Sequence, residues 1–144
     1  MKIVLDASVA VEWFLPGTDR EVARRAGELL KASQRSEVEC IVPDFFWAEV
    51  GSVFAKAVRQ KRWSPSKVSR ALRDLGALEI ATEPSRPLLA PAMNLALSYG
   101  QSVYDTMYVA VALKQQIEVV TLDLRLFNAL SARYPVRWLS GVRF

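Results

Sequence analysis

The sequence predicts an α/β fold, a single domain with a mostly parallel central sheet of about five strands and helices on both faces. Two observations predict it. Short apolar runs alternate with helical stretches in the order strand, helices, strand, helices, strand, helices, strand, helix, strand, which is the pattern of a parallel sheet with crossover helices. The chain has 144 residues, 51% hydrophobic and 24% charged. That is enough to close one core and too apolar to stay disordered. There is no internal repeat, low-complexity tract or linker rich in Gly or Ser, so residues 1–144 read as one unit.

Each element follows from local signals. Residues 2–5 (KIVL) are a short apolar run that stops at Asp6. Residues 7–15 read as a first helix closed by Pro16-Gly17. Thr18 or Asp19 caps a second helix through about residue 33, with Val22, Ala26, Leu29 and Leu30 on one face. Residues 40–42 (CIV) read as a buried strand, and Pro43 suits the first turn of a helix. That helix runs to about Arg62 on a stripe of Phe46, Val50, Val53, Phe54, Ala57 and Val58. Ser64-Pro65 opens another, to about Gly76, and residues 77–81 (ALEIA) read as a strand. A helix follows Pro87 and ends near Gly100; Ser102 caps the next, from Val103 to Gln115. Residues 118–122 (EVVTL) form a strand ending at Asp123, 124–132 a short helix, and 136–139 (VRWL) a final edge strand.

Composition removes whole classes of chemistry. Cysteine is limited to Cys40, which rules out an internal disulfide or a cysteine zinc cluster. Its apolar setting makes it a core residue rather than a nucleophile. Histidine is absent, which removes Ser-His-Asp and Cys-His catalysis and His-liganded zinc. A hydrolase on this chain must rely on carboxylates, hydroxyls, Lys, Arg or a hard ion such as Mg²⁺ or Mn²⁺, which takes oxygen ligands. The net charge of +4 and the pI near 9.5 are compatible with a polyanionic partner. No run reaches the roughly 20 apolar residues that span a bilayer. Asp6 and Glu12 make the N-terminus a poor secretory signal, so a cytoplasmic protein is expected.

The acids are therefore the residues to follow. Asp6 and Asp123 each stand at the C-terminal end of a short apolar strand, the edge where open α/β sheets bind ligands. Either is also a natural N-cap for the helix that follows. Glu49 borders the apolar stripe of its helix, beside Phe46 at i−3 and Val53 at i+4. Asp105 has Tyr108, Val109 and Ala112 at i+3, i+4 and i+7, so it too lies on an inward face. A carboxylate is rarely buried without a partner, and a divalent cation would serve both. The simpler reading of Asp105 is an acid in a first helical turn, three residues after its cap. Four like charges in one pocket would repel strongly, and a cation removes the repulsion.

At this point the motifs match a known family. LDASVAVEWFLP resembles the first motif of PIN domains and VPDFFWAEVGSVF the second; SVYDTMYVAVA is similar to the third and VVTLDLRLF to the fourth. Their order and spacing over nearly the whole chain resemble the VapC-type toxins of bacterial and archaeal toxin–antitoxin pairs. The resemblance implies a doubly wound sheet and Mg²⁺- or Mn²⁺-dependent endoribonuclease activity, leaving 5′-phosphate and 3′-hydroxyl ends. It implies Asp6, Glu49, Asp105 and Asp123 as catalytic metal ligands. Ser8 matches the small hydroxyl residue two after the first acid, and Thr121 the hydroxyl two before the last. It further implies a cognate antitoxin and a homodimer. The segment TLDLRLF departs from the family pattern around its acid, which leaves open whether Asp123 ligates metal directly. Ser8 is open between holding Asp6, touching phosphate and capping a helix.

Basic residues bunch around Trp63: Lys56, Arg59, Lys61, Arg62, Lys67, Arg70 and Arg73. Arg59, Lys61 and Arg62 are candidates for phosphate contacts and Trp63 for base stacking, against the plainer reading of a solvated helix–helix corner. Arg20, Arg24 and Arg25 form a weaker patch. Trp13, Phe14, Phe45, Phe46 and Trp47 exceed what a small core needs, so some are expected at a dimer face or a groove for an antitoxin helix. A phosphoacceptor receiver is disfavoured: LEIAT ends without Asp and VRWL brings no Lys. The alternative kept open is a catalytically inactive PIN-fold module that binds RNA or protein.

Overall fold

The computed structural model describes all 144 residues. Five strands form one sheet in the order β3-β2-β1-β4-β5, and every pairing is parallel. They are β1 (Lys2–Leu5), β2 (Glu39–Pro43), β3 (Ile80–Glu83), β4 (Glu118–Thr121) and β5 (Val136–Trp138). Seven helices join them: α1 (Ala7–Glu12), α2 (Arg20–Gln34), α3 (Phe46–Arg59), α4 (Pro65–Gly76), α5 (Leu89–Tyr99), α6 (Val103–Gln115) and α7 (Leu124–Leu130). The chain steps outward from β1 to β3, returns across the sheet to β4, and steps outward again to β5. Right-handed crossovers then place α1–α4 on one face and α5–α7 on the other. The order reverses between β1 and β4, and that is where such sheets open a crevice beyond the strand ends.

The central strands explain the apolar runs. Ile3, Val4 and Leu5 of β1 are buried, as are Val119 and Val120 of β4, because both sheet faces are covered. Helix α6 packs on β1, β2 and β4 and carries α5 on its outer side. Residues Thr106 to Ala112 are accordingly buried all round, and the Thr106 hydroxyl donates to the Ala92 carbonyl at 2.7 Å. Ser102 caps α6 by accepting from the Asp105 amide. Gly100, at φ 62°, supplies the left-handed turn between α5 and α6 that a side chain would strain. No helix is long and apolar enough to cross a membrane.

Several boundaries move from their expected places. The first helix stops at Glu12 rather than residue 15: the residue before a proline resists helical geometry, and the Trp13 indole instead reaches the Ala26 carbonyl at 2.9 Å. Pro43 ends a strand rather than beginning a helix. It pairs in register with Glu83, while the β1 side of the ladder ends at Ile41, so its missing N–H leaves no acceptor unmet. Helix α3 thus starts only at Phe46 and closes at Arg59. Residues 77–79 complete the end of α4, with the Ala77 amide bonded to the Arg73 carbonyl, and β3 begins at Ile80 opposite Cys40. A 3₁₀ turn over Arg86–Leu88 precedes α5, and another over Leu139–Gly141 follows the shortened β5.

Of the surplus aromatics one is core and the other four are half-buried against it. Phe46 is fully buried. Phe14 meets Phe54 edge-on at 5.6 Å, Phe46 meets Trp47 at 5.2 Å, and the Trp47 indole donates to Thr82. The exposed large apolar side chains include Leu89, Met93 and Leu97 along α5 and Tyr104 on α6.

Candidate active site

Strand β1 carries Asp6 to its C-terminal end, beside the end of β4. The Asp6 amide continues the ladder to the Val120 carbonyl at 3.1 Å, and the side chain is only 6% exposed. Asp6 stands at the N-cap of α1, yet its carboxylate caps nothing. Instead Oδ2 accepts a hydrogen bond from the Ser8 hydroxyl and another from Thr121 Oγ1 at 2.7 Å. Each hydroxyl is itself held by a backbone donor: the Leu122 amide bonds Ser8 Oγ at 3.0 Å and the Asp123 amide bonds Thr121 Oγ1 at 2.8 Å. Each hydroxyl thus accepts from an amide and donates its own proton to Asp6. Ser8 therefore holds Asp6 and is no helix cap.

The other acids converge from three further elements. Asp105 sits in the first turn of α6. Glu49 comes from the first turn of α3, and its Oε1 accepts from the Tyr108 hydroxyl at 3.0 Å. Asp123 does cap a helix, its Oδ1 accepting from the Arg125 and Leu126 amides. The N-cap reading of the two strand-end acids is thus right for Asp123 and wrong for Asp6. Asp6, Glu49, Asp105 and Asp123 all line one crevice of about 420 Å³, together with Ser8, Val11, Glu12, Val53 and Leu122. A larger groove of about 650 Å³ runs between Trp13, Leu30 and Leu78, away from these acids. Volume therefore does not mark the site, whereas converging chemistry does.

Electrostatics single out the same residues. Burial raises the Asp6 carboxyl to about 6; the Ser8 and Thr121 hydrogen bonds pull it down, and Asp105 and Asp123 push it up. Burial raises Glu49 to about 7, against the Tyr108 hydrogen bond and with the help of Asp6 and Asp105. Asp105 is raised as well, by burial and by Asp123, with Ser102 and Arg125 opposing. Carboxyls this reluctant to ionise, sharing one crevice, mark a candidate functional site.

The donor set suits a hard divalent ion. It is all oxygen, and three of the acids have one oxygen engaged by protein donors while the other takes no protein hydrogen bond. No three of them draw together as a closed ligand cluster. Mg²⁺ keeps several waters and takes one or two carboxylates plus substrate phosphates, so an open fan of acids fits it better than a cage would.

The basic candidates fall elsewhere. None of Arg59, Lys61, Arg62 and Trp63 lines the crevice. Arg59 ends α3, about 15 Å along the helix from Glu49 at 1.5 Å per residue, and the others sit in the turn beyond. Trp63 is half-buried with its ring 5.1 Å from Phe54, so part of its stacking surface is used by the core. The Arg20–Arg25 patch is largely neutralised: Arg24 pairs with Glu21 and Glu28, and Arg25 pairs with Glu28 and bonds the Val142 carbonyl. Sequence reasoning missed Tyr108, Glu12 and Arg125 as neighbours of the site. The i+3 spacing of Tyr108 from Asp105 was the available signal.

Comparison with known proteins gives a consistent picture. The PIN domain profile matches residues 3–132. The ribonuclease VapC3 of Pyrobaculum aerophilum is 31% identical over 134 residues, spanning 92% of this chain and 97% of the relative. Among solved structures, PAE2754 from the same organism superposes with a TM-score of 0.73 at 18% identity, covering 98% of this chain and 85% of that one. A toxin–antitoxin complex from Klebsiella pneumoniae superposes with a TM-score of 0.59 at 17% identity, covering 94% and 95%.

Proposed function

The chain belongs to the PIN-domain family, and from that membership we propose that it is a divalent-metal-dependent endoribonuclease, the toxin of a type II toxin–antitoxin module, working at the acidic crevice. The observation that carries the site assignment is the convergence of Asp6, Glu49, Asp105 and Asp123 in one crevice at the β1/β4 switch point. Family membership and the ribonuclease relative support the activity. They also disfavour an inactive binding module, since all four acids are in place.

Asp6 and Asp105, with Glu49 and Asp123 beside them, would hold Mg²⁺ or Mn²⁺. When bound, the ion supplies Lewis acidity, activates water and neutralises charge building on the phosphate. The residues prepare for that. Ser8 and Thr121 lock Asp6 in one orientation. Glu49, held through Oε1 by Tyr108, would turn its other carboxylate oxygen to the cation or to its water. Arg125, whose charge reaches Asp105, offers a cation to an RNA phosphate at the rim. Arg59, Lys61 and Arg62 form a second, outer contact for the strand.

A cognate antitoxin is the partner expected of a toxin of this family, and the toxin–antitoxin complex among the fold neighbours supports that reading. Self-pairing into a homodimer is the second expectation. Helix α5 exposes Leu89, Met93 and Leu97 at four-residue spacing and carries no charged side chain from Leu89 to Tyr99, which suits pairing with its own copy.

End-group mapping of RNA cut in Mn²⁺ tests the chemistry. Hydrolysis by activated water leaves 5′-phosphate ends and still cuts a strand carrying a single 2′-deoxy sugar at the scissile position. Cyclic 2′,3′-phosphate ends, or loss of cutting on 2′-deoxy substitution, would show attack by the 2′-hydroxyl and remove the proposal.

A further inference from the structure

We propose that Tyr108 is a positioning residue of the crevice: its hydroxyl fixes Glu49 through Oε1 and leaves Oε2 as the oxygen available to a cation. The inference rests on the metal-site reading above. Tyr108 is fully buried and looks at first like an ordinary core aromatic, with Phe45 edge-on at 5.8 Å. Packing alone would be met by Phe or Leu. The hydroxyl is what packing does not explain, because a buried phenol needs a partner.

Its partner is Glu49 Oε1 at 3.0 Å, and the Glu49 carboxylate has no other protein hydrogen bond. One hydroxyl thus ties helix α3 to helix α6, the segments that carry Glu49 and Asp105. The arrangement repeats at the neighbouring acids. Asp6 has Oδ2 held by Ser8 and Thr121, and Asp123 has Oδ1 held by two amides. A long Glu side chain on a helix has many rotamers, and this single bond selects one. Groups that orient metal ligands in this way matter nearly as much as the ligands.

The test is Mn²⁺ binding, read by electron paramagnetic resonance of the free ion and needing no turnover. It compares wild type, Tyr108→Phe, Glu49→Gln and the double variant, with Asp6→Asn as a control and circular dichroism as a check on folding. Tyr108→Phe should weaken Mn²⁺ binding about 10-fold, the scale of lost outer-shell partners. The double variant should bind no more weakly than Glu49→Gln alone, since both act through one carboxylate. Glu49→Asp, which withdraws the carboxylate from an intact Tyr108, should reproduce the loss. A folded Tyr108→Phe that binds Mn²⁺ like wild type overturns the inference, as does a loss that adds to that of Glu49→Gln. If Asp6→Asn loses Mn²⁺ while Tyr108→Phe does not, only this inference fails. A wild type that takes no Mn²⁺ removes the metal reading with it.

Discussion

Thr121 Oγ1 donates to Asp6 Oδ2 at 2.7 Å, joining the ends of two adjacent parallel strands whose residues lie 115 positions apart. The bond forms only because β4 returns to pair with β1, so the topology itself assembles the site. Removing the hydroxyl should show that. Thr121→Val should reduce Mn²⁺ affinity or cleavage by about 10-fold, as expected for a residue behind a ligand. It should also cost about 1–3 kcal/mol of stability, because the Asp123 amide loses its acceptor. Metal titration and urea unfolding of the same preparation read both effects. Unchanged metal binding would make Thr121 a plain strand residue.

The metal-free protein should respond to pH in the opposite sense from most. Asp6 and Glu49 have folded values of about 6 and about 7, above their ordinary 3.8 and 4.5. Between about pH 4 and pH 7 the unfolded chain therefore releases these protons while the folded chain keeps them. The contribution of the two groups is fully present below their unfolded values and is lost as pH rises through the folded ones. For Asp6 the loss is about 3 kcal/mol at 1.36 kcal/mol per unit; the half-exposed Glu49 adds less. Urea midpoints in EDTA should fall from pH 5 to pH 8, and Asp6→Asn should flatten the fall. A midpoint that climbs over that range in wild type would contradict the burial of these acids.

Charge reversal at Arg59, Lys61 and Arg62 should weaken RNA binding while leaving kcat near wild type, because these residues stand apart from the acids. The salt dependence of binding should also become shallower, since fewer counterions are displaced. Measuring KM and kcat at two salt concentrations separates the effects. A fall in kcat with KM unchanged would place the basic turn nearer the chemistry than its position on α3 allows.

Leu97 is the most exposed of the large apolar side chains, at 77%, and lies toward the C-terminal end of the uncharged face of α5. On the homodimer reading, wild type should scatter as a dimer and Leu97→Glu as a monomer, with little change in melting temperature. Persistence of the dimer would move the interface off α5.

Much of this was legible in the chain. Alternating apolar runs gave the parallel sheet, and acids at strand ends or on inward helix faces marked Asp6, Glu49 and Asp105. What stayed hidden depended on neighbours in space. Ser8 and Thr121 match short motif positions, but their shared grip on Asp6 requires β1 and β4 to be adjacent. In sequence Tyr108 shows only that Asp105 shares its face, because an aromatic on an apolar helix gives no sign of what its hydroxyl meets. Pro43 was assigned to a helix because proline favours a first turn; whether it can end a strand depends on where the next ladder stops. The basic turn around Trp63 reads in sequence either as an RNA contact or as a solvated helix–helix corner, and the length of α3 sets it apart from the acids.

Cleavage of a mixed RNA pool in Mn²⁺ and in EDTA, by wild type and by Asp6→Asn and Asp105→Asn, bears most directly on the central claim that the acidic crevice is where RNA is cut. The account predicts cutting by wild type in Mn²⁺ only, with both variants folded and inactive. Equal cutting by wild type and variants, or cutting that survives EDTA, would place the chemistry outside this crevice.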